Sequence, residues 1–356
     1  MDRIVAAASA ALGERLTDPV DLGGASRSTV LRCRRASGDT VIVKAYKAET
    51  TDGFAAESAG LAFADRRLPG IGPRPLAVDE TVPLVVMTDL GSWPSLADTL
   101  LHGEADAAHD ALLAWALAYA RIAVASIGAE ADFGHRSKPW PSQAAALHAA
   151  LAAFGVPAPA GLAADLAEVE RPGGYEVFSP GDICPDNNLF TADGMRVLDF
   201  EGAGYHSVFL DAAYTRMPFA SCWCVFELPQ DVRTEISSAY RGEIVRGYPA
   251  LADDGIWLAG LRRAMARWTI HITTTVAPRV IEADRPTHRV WRPVPSRRQL
   301  LRFRWAALVD ELAPTGELPA LTEAFLGLLA VTEDWRVEPL PPYPPFAGLS
   351  QVVAVR

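Results

Sequence analysis

Within residues 179 to 214, SPGDICPDNNLFTADGMRVLDFEGAGYHSVFLDAAY, the polar residues keep fixed distances from two short apolar runs. The runs, around Leu189-Phe190 and Val197-Leu198, flank a turn signal at Ala192-Asp193-Gly194, and the pattern predicts a hairpin. Asp182 and Asn187 stand five residues apart just before the first strand, and Asp199 closes the second. A hairpin returns the chain to its own start, so the three side chains can converge on one point. Asn187 and Asp199 would then offer two oxygens. That suits magnesium, which takes few protein ligands and completes its shell with phosphate oxygens and water. Asp182, left off the metal, is placed to accept the proton of an attacking hydroxyl. A single Asp in a turn is more often a cap or turn former. Three groups in this arrangement favour chemistry.

The rest of the chain supplies a matching framework. Residues 17 to 86 read as strands with one helix: Thr29 to Arg35 and Thr40 to Tyr46 form a hairpin around Gly38-Asp39. Thr51 to Leu68 switches to helical spacing. VPLVVMTDL is a short apolar strand closed by Gly91 and Pro94. Residues 95 to 170 are Ala- and Leu-rich helices, and further helices run to about residue 333. The Pro-rich stretch EPLPPYPPF is expected to lie extended on the surface. At 356 residues two lobes are the default. The expected fold is α+β and bilobal: a small β-rich lobe over 1–86, a hinge at 87–92, and a larger helical lobe over 93–356 with the tail at 338–348.

The Asp-x4-Asn element, followed by a hairpin and Asp199-Phe200-Glu201, resembles the aminoglycoside phosphotransferase and choline kinase superfamily. That superfamily is related to protein kinases, whose catalytic loop has the same Asp-to-Asn interval. The resemblance implies a protein-kinase-like fold and transfer of the γ-phosphoryl group of ATP or GTP, with magnesium, to a small-molecule hydroxyl. It puts the base on Asp182 and the metal on Asn187 and Asp199. Lys44, in VIVKAY, resembles the lysine that contacts the α- and β-phosphates, and Glu57 on the following helix looks like its carboxylate partner. Lys47 competes for the lysine role, but at the strand exit it reads more simply as a surface charge. Gly24, Ser26 and Ser28 would form a loop over the phosphates, where N–H groups and hydroxyls face negative oxygens. Thr88, Asp89 and Leu90 resemble the hinge whose backbone pairs with the adenine edge, and Asp211 reads as structural. One position departs from the usual His-Gly-Asp: Pro180 precedes Gly181-Asp182. The missing histidine mainly supports the loop, so no reacting group is lost with it.

Composition narrows the partners. A net charge of −10 argues against general nucleic-acid binding. Residues 111 to 129 are long enough to span a bilayer, but Arg121 at their centre makes a core helix the better reading. The Ala-rich N-terminus likewise reads as a helix rather than a signal peptide, and the chain as cytoplasmic. Four cysteines are too few for a disulfide framework, and Cys222 and Cys224 are expected to be buried, reduced thiols rather than metal ligands. For the acceptor the hints conflict. Residues 176 to 211 hold seven acids against Arg196, which favours a cation, whereas residues 262 to 304 hold eleven arginines, which suit a carboxylate or phosphate. A catalytically silent nucleotide-binding regulator is the rival reading. A protein kinase ranks lower, because no activation segment closed by Ala-Pro-Glu follows Asp199.

Overall fold

The computed structural model describes residues 1–24, 27–47, 51–136, 142–217, 219, 222–288 and 294–348. In chain order the helices and strands are α1 (Asp2–Leu12), β1 (Thr17–Gly23), β2 (Ser28–Arg34), β3 (Thr40–Tyr46), α2 (Thr51–Arg67), β4 (Pro75–Asp79) and β5 (Leu84–Thr88). They continue with α3 (Leu96–His102), α4 (Ala105–Ser126), α5 (Ala144–Ala153), α6 (Leu162–Glu170), β6 (Glu176–Ser179), β7 (Asn188–Thr191), β8 (Gly194–Val197) and β9 (Gly204–Ser207). The last are α7 (Val208–Arg216), α8 (Gln230–Gly247), α9 (Asp254–Val276), α10 (Arg297–Leu312) and α11 (Pro319–Val331). Two compact units emerge: residues 1–96, 122–138 and 177–205 form one, and residues 97–121, 139–176 and 206–356 the other.

The first unit is built on an antiparallel sheet of order β1-β2-β3-β5-β4. The β2–β3 hairpin pairs Ser28 with Tyr46 through to Arg34 with Thr40, and Gly38 takes a φ of +94° in its turn. Strand alternation sends Val41, Val43 and Ala45 to one face. There they join Leu31, Cys33, Leu84 and Val86 against Ala8 and Leu16 in a buried core. The other face carries Ile42 and Lys44. A second packed group, Phe63, Phe133, Phe178 and Tyr205, is fixed by Ser126, which accepts from the Phe178 N–H at 2.8 Å through its hydroxyl and from the Tyr205 hydroxyl at 2.8 Å through its carbonyl. The predicted hairpin around residues 192–194 is present as β7–β8, with Asn188 paired to Val197 and Thr191 to Gly194.

The second unit is helical. Helix α9 packs against α7 and α10, and α10 against α11. Asp253 caps α9 by accepting from the Ile256 N–H at 3.0 Å, and Ser296 with Gln299 forms a capping box on α10. The Trp268 indole donates to the Leu210 carbonyl and the Trp305 indole to Thr273 Oγ1.

Helix α4 buries Trp115 and Tyr119 and leaves Arg121 exposed, as expected of a core helix. Among the described residues no helix is long and apolar enough to cross a membrane.

Two expectations are corrected. The Pro-rich stretch is not a surface strand: Leu340, Tyr343 and Phe346 are all buried, and the Tyr343 hydroxyl donates to the Cys224 carbonyl at 2.6 Å. Glu338, Pro339 and Pro341 stay exposed, and the stretch closes in a single 3₁₀ turn at Pro344–Phe346, while the three apolar side chains turn inward. Cys33 and Cys224 are buried and outside any disulfide, as expected for Cys224, whereas Cys222 is disulfide-bonded rather than reduced.

Candidate active site

Lys44 and Ile42 line a cavity of about 460 Å³ in the first unit. The lysine Nζ lies 2.8 Å from Glu57 Oε2, 2.8 Å from Asp199 Oδ1 and 3.9 Å from Glu201 Oε2. The pairing of Lys44 with Glu57 is therefore present. Glu57 is fully buried on α2, where the same Oε2 also accepts from the Tyr46 hydroxyl at 3.0 Å and the Phe200 N–H at 3.2 Å. One ammonium serves two carboxylates, so the cluster carries net negative charge and the carboxylates titrate apart. Burial, and then the charge of Asp199, push Glu57 up despite the opposing pull of Lys44. Burial also works to raise Asp199, but Lys44 and the Glu201 N–H outweigh it and hold that carboxyl below its usual range. For Lys44 itself burial alone favours the neutral amine. The two carboxylates reverse this and keep it an ammonium.

Asp182 lies in the loop between β6 and β7. Burial first, then the negative charges of Asp199, Asp186 and Glu201, raise its carboxyl to about 6, against a hydrogen bond from the Cys184 N–H at 3.2 Å. The Asn187 amide donates to the Asp182 carbonyl at 3.3 Å, and the Leu198 N–H donates to the Asn187 carbonyl at 2.9 Å. These bonds tie the loop to the start and end of the β7–β8 hairpin.

Close backbone packing finishes the assembly. At Gly181, with φ +92°, a Cβ would sit 2.0 Å from the Gly202 carbonyl oxygen. Only glycine lets the Asp182 loop lie this close to the segment after Asp199. The Ser179 hydroxyl accepts from the Gly181 N–H at 3.1 Å, and Pro180 is buried. The loop that lacks the family histidine is thus held by proline, serine and a glycine pair. Phe200, fully buried, fits against Gly60 of α2 and Gly72. A Cβ would come within 3.0 Å of its ring or Cβ at either position.

Gly24, Ser28, Thr88, Asp89, Leu90, Asn187 and Asp199 all line the cavity with Lys44. Ser26 lies outside the described residues. Glu57 sits behind Lys44, and neither it nor Asp182 lines the cavity itself. Val30, Ile42, Met87, Leu189 and Leu198 give the cavity apolar walls suited to a flat ring. At the hinge the Asp89 carboxylate is taken by Arg32 Nε at 2.6 Å, the Thr40 hydroxyl at 2.7 Å and the Gly91 N–H at 2.9 Å. Asp89 therefore fixes the hinge to β2 and β3 rather than offering its side chain to a ligand. The sequence reading assigned no role to Arg32, Trp93 or Glu201, which also line the cavity. Glu201 carried a signal, because it closes the Asp-Phe-Glu motif. Trp93, 44% exposed with its indole donating to the Leu90 carbonyl at 2.9 Å, carried none. In the second unit Asp211 is buried, with His206 Nε2 at 3.0 Å.

With this geometry in place, the comparisons fall into one class. A family model described as the phosphotransferase enzyme family matches residues 20–253, and the chain belongs to that family. It is an enzyme of the small-molecule kinase class, and its fold is α+β and protein-kinase-like. The choline kinase of Cryptosporidium parvum Iowa II superposes with a TM-score of 0.53 at 10% identity, covering 86% of this chain and 93% of that one. A choline/ethanolamine kinase family protein from Mesorhizobium loti gives a TM-score of 0.50 at 17% identity, with 87% and 93% covered. The GDP complex of an aminoglycoside 2'-phosphotransferase gives 0.50 at 14% identity, with 85% and 93% covered. No curated protein matches the chain in sequence.

Proposed function

We propose that the chain transfers the γ-phosphoryl group of ATP or GTP, with magnesium, to a hydroxyl of a small-molecule acceptor. The observation that carries this reading is Lys44, locked as an ammonium between Glu57 and Asp199 at the wall of a cavity with apolar sides. Lys44 would hold the α- and β-phosphates, with Glu57 fixing its direction. The apolar walls would take the base beside the backbone of Thr88, Asp89 and Leu90, and Gly24 and Ser28 would face the phosphates.

The donor set suits magnesium. Asp199 is held ionised, Asn187 adds an amide oxygen beside it in the cavity wall, and phosphate oxygens complete a shell of the kind this ion prefers. When bound, the ion would neutralise charge developing on the transferred group. Asp182, with its pKa at about 6, is ionised at neutral pH and would take the acceptor's proton. The acceptor's charge can also be argued. Arg262 pairs with Glu317, Arg263 with Glu168, Arg298 caps the Val280 and Ile281 carbonyls, and Arg302 holds Leu329. These four arginines are already engaged within the protein. The acids around Asp182 favour an acceptor bearing an amine, such as an amino alcohol or aminoglycoside. The reaction would take place in the cytoplasm.

Thermal unfolding with ATP and magnesium tests the reading. At a hundredfold excess over Kd, ligand stabilises the folded chain by about 2.7 kcal/mol, and Asp199→Ala should remove the magnesium-dependent part. With an acceptor found by screening amino alcohols and aminoglycosides, Asp182→Ala should cut turnover by about 10²- to 10⁴-fold while nucleotide binding persists. Retained turnover would sink the role of Asp182.

A further inference from the structure

Arg27 stands at the end of the loop that follows Gly23 and Gly24, where its backbone is fixed: the Lys47 N–H donates to its carbonyl at 3.0 Å, and Ser28 beside it begins the β2–β3 ladder. Its guanidinium reaches across to Glu201, with side-chain exposures of 59% for Arg27 and 12% for Glu201. The same carboxylate has Lys44 Nζ 3.9 Å from its Oε2. Glu201 therefore bridges two cations that belong to different elements, the loop before β2 and strand β3. It does so beside Gly24, Ser28 and Asp199 on the cavity wall.

We propose that Arg27 is a specificity residue of the nucleotide site: its guanidinium binds the β- and γ-phosphates, and the Glu201 carboxylate is the internal anion it exchanges for them. The inference rests on the nucleotide reading above and extends it to Arg27, the residue directly before Ser28, to which that reading gives no role. Three points support it. An ion pair with one partner more than half exposed is weak and easily exchanged. A guanidinium gains more from a phosphate group, which it meets with two parallel donors, than from a single shared carboxylate. Finally, the Glu201 carboxylate lies between both cations, with Oε1 on Arg27 and Oε2 3.9 Å from Lys44, so it marks a place where one anionic group meets two cations. AMP has no β- or γ-phosphate with which to meet Arg27. The exchange would therefore make the site select triphosphate over monophosphate.

The test compares ATP with AMP, each with magnesium, by calorimetry and thermal unfolding on the full chain. The variants are Arg27→Ala, Glu201→Gln and the double exchange Arg27→Glu/Glu201→Arg. Arg27→Ala should weaken ATP about tenfold and leave AMP within about twofold, the scale of one lost charge-assisted contact. Glu201→Gln, which removes the competing anion, should tighten ATP measured without magnesium. The double exchange restores an ion pair in reversed sense but puts a carboxylate on the phosphate side, so ATP affinity should stay low. An ion pair that only fastened the loop would instead be repaired by the exchange. Recovery of ATP affinity in the double variant, or equal losses for ATP and AMP in Arg27→Ala, would overturn the proposal while leaving the nucleotide reading intact. Absence of any nucleotide effect on the wild type would remove that reading, and this proposal with it.

Discussion

Asp182 changes charge near pH 6, because burial and three neighbouring carboxylates keep its proton on. Folded Asp182 binds that proton more tightly than the unfolded chain, whose ordinary value is 3.8. Its contribution to stability is thus fully present below about pH 4 and is lost as pH rises through 6. Asp182→Asn should accordingly be more stable than the wild type at pH 8, by on the order of 1–2 kcal/mol after allowing for partial exposure. That advantage should shrink to nothing near pH 4, as read by denaturant midpoints across pH. In the same range the proposed role of Asp182 as base requires kcat/KM to rise with pH through about 6 and then level. A flat profile would mean that Asp182 takes no proton in the rate-determining step. The chemistry-bearing residues were legible because they come as types at fixed intervals. Asp182, Asn187 and Asp199 needed only a hairpin between them, and Lys44 with Glu57 needed only a strand followed by a helix. Arg27, Arg32 and Trp93 were not legible. Arg27 and Trp93 lie outside the strands and helices, where no local pattern specifies the path, and Arg32 on β2 meets Asp89 only through tertiary packing.

Strands and helices followed their periods closely. The β2–β3 hairpin, α2 and β7–β8 all fall where alternation, helical spacing and turn residues predict them. The misreading at residues 338–346 came from treating proline content as a sign of exposure. The informative signal was the apolar side chain at every third position, Leu340, Tyr343 and Phe346. Truncating Tyr343 to Ala should cost about 3–5 kcal/mol, as for other large buried rings, while Tyr343→Phe should cost only about 1 kcal/mol for its bond to the Cys224 carbonyl. Urea midpoints of both variants would separate packing from hydrogen bonding. Equal, small losses would place the ring at the surface after all.

At the level of the whole molecule, each unit has its own core, and the candidate nucleotide cavity belongs to the first. Composition said little about this division. Within the arginine-rich stretch, Arg262 is taken by Glu317 and Arg302 by the Leu329 carbonyl, both inside the second unit. Four glycines around Phe200 and Asp182 carry a further consequence. Gly60, Gly72, Gly181 and Gly202 have no reacting group, yet at the first three a single methyl would strike a ring or a carbonyl within about 3 Å. A library of all single substitutions, selected for activity, should therefore lose variants at Gly60, Gly72 and Gly181 about as completely as at Asp182. The tolerance map of this enzyme would then trace the empty space around its carboxylates as sharply as the carboxylates themselves.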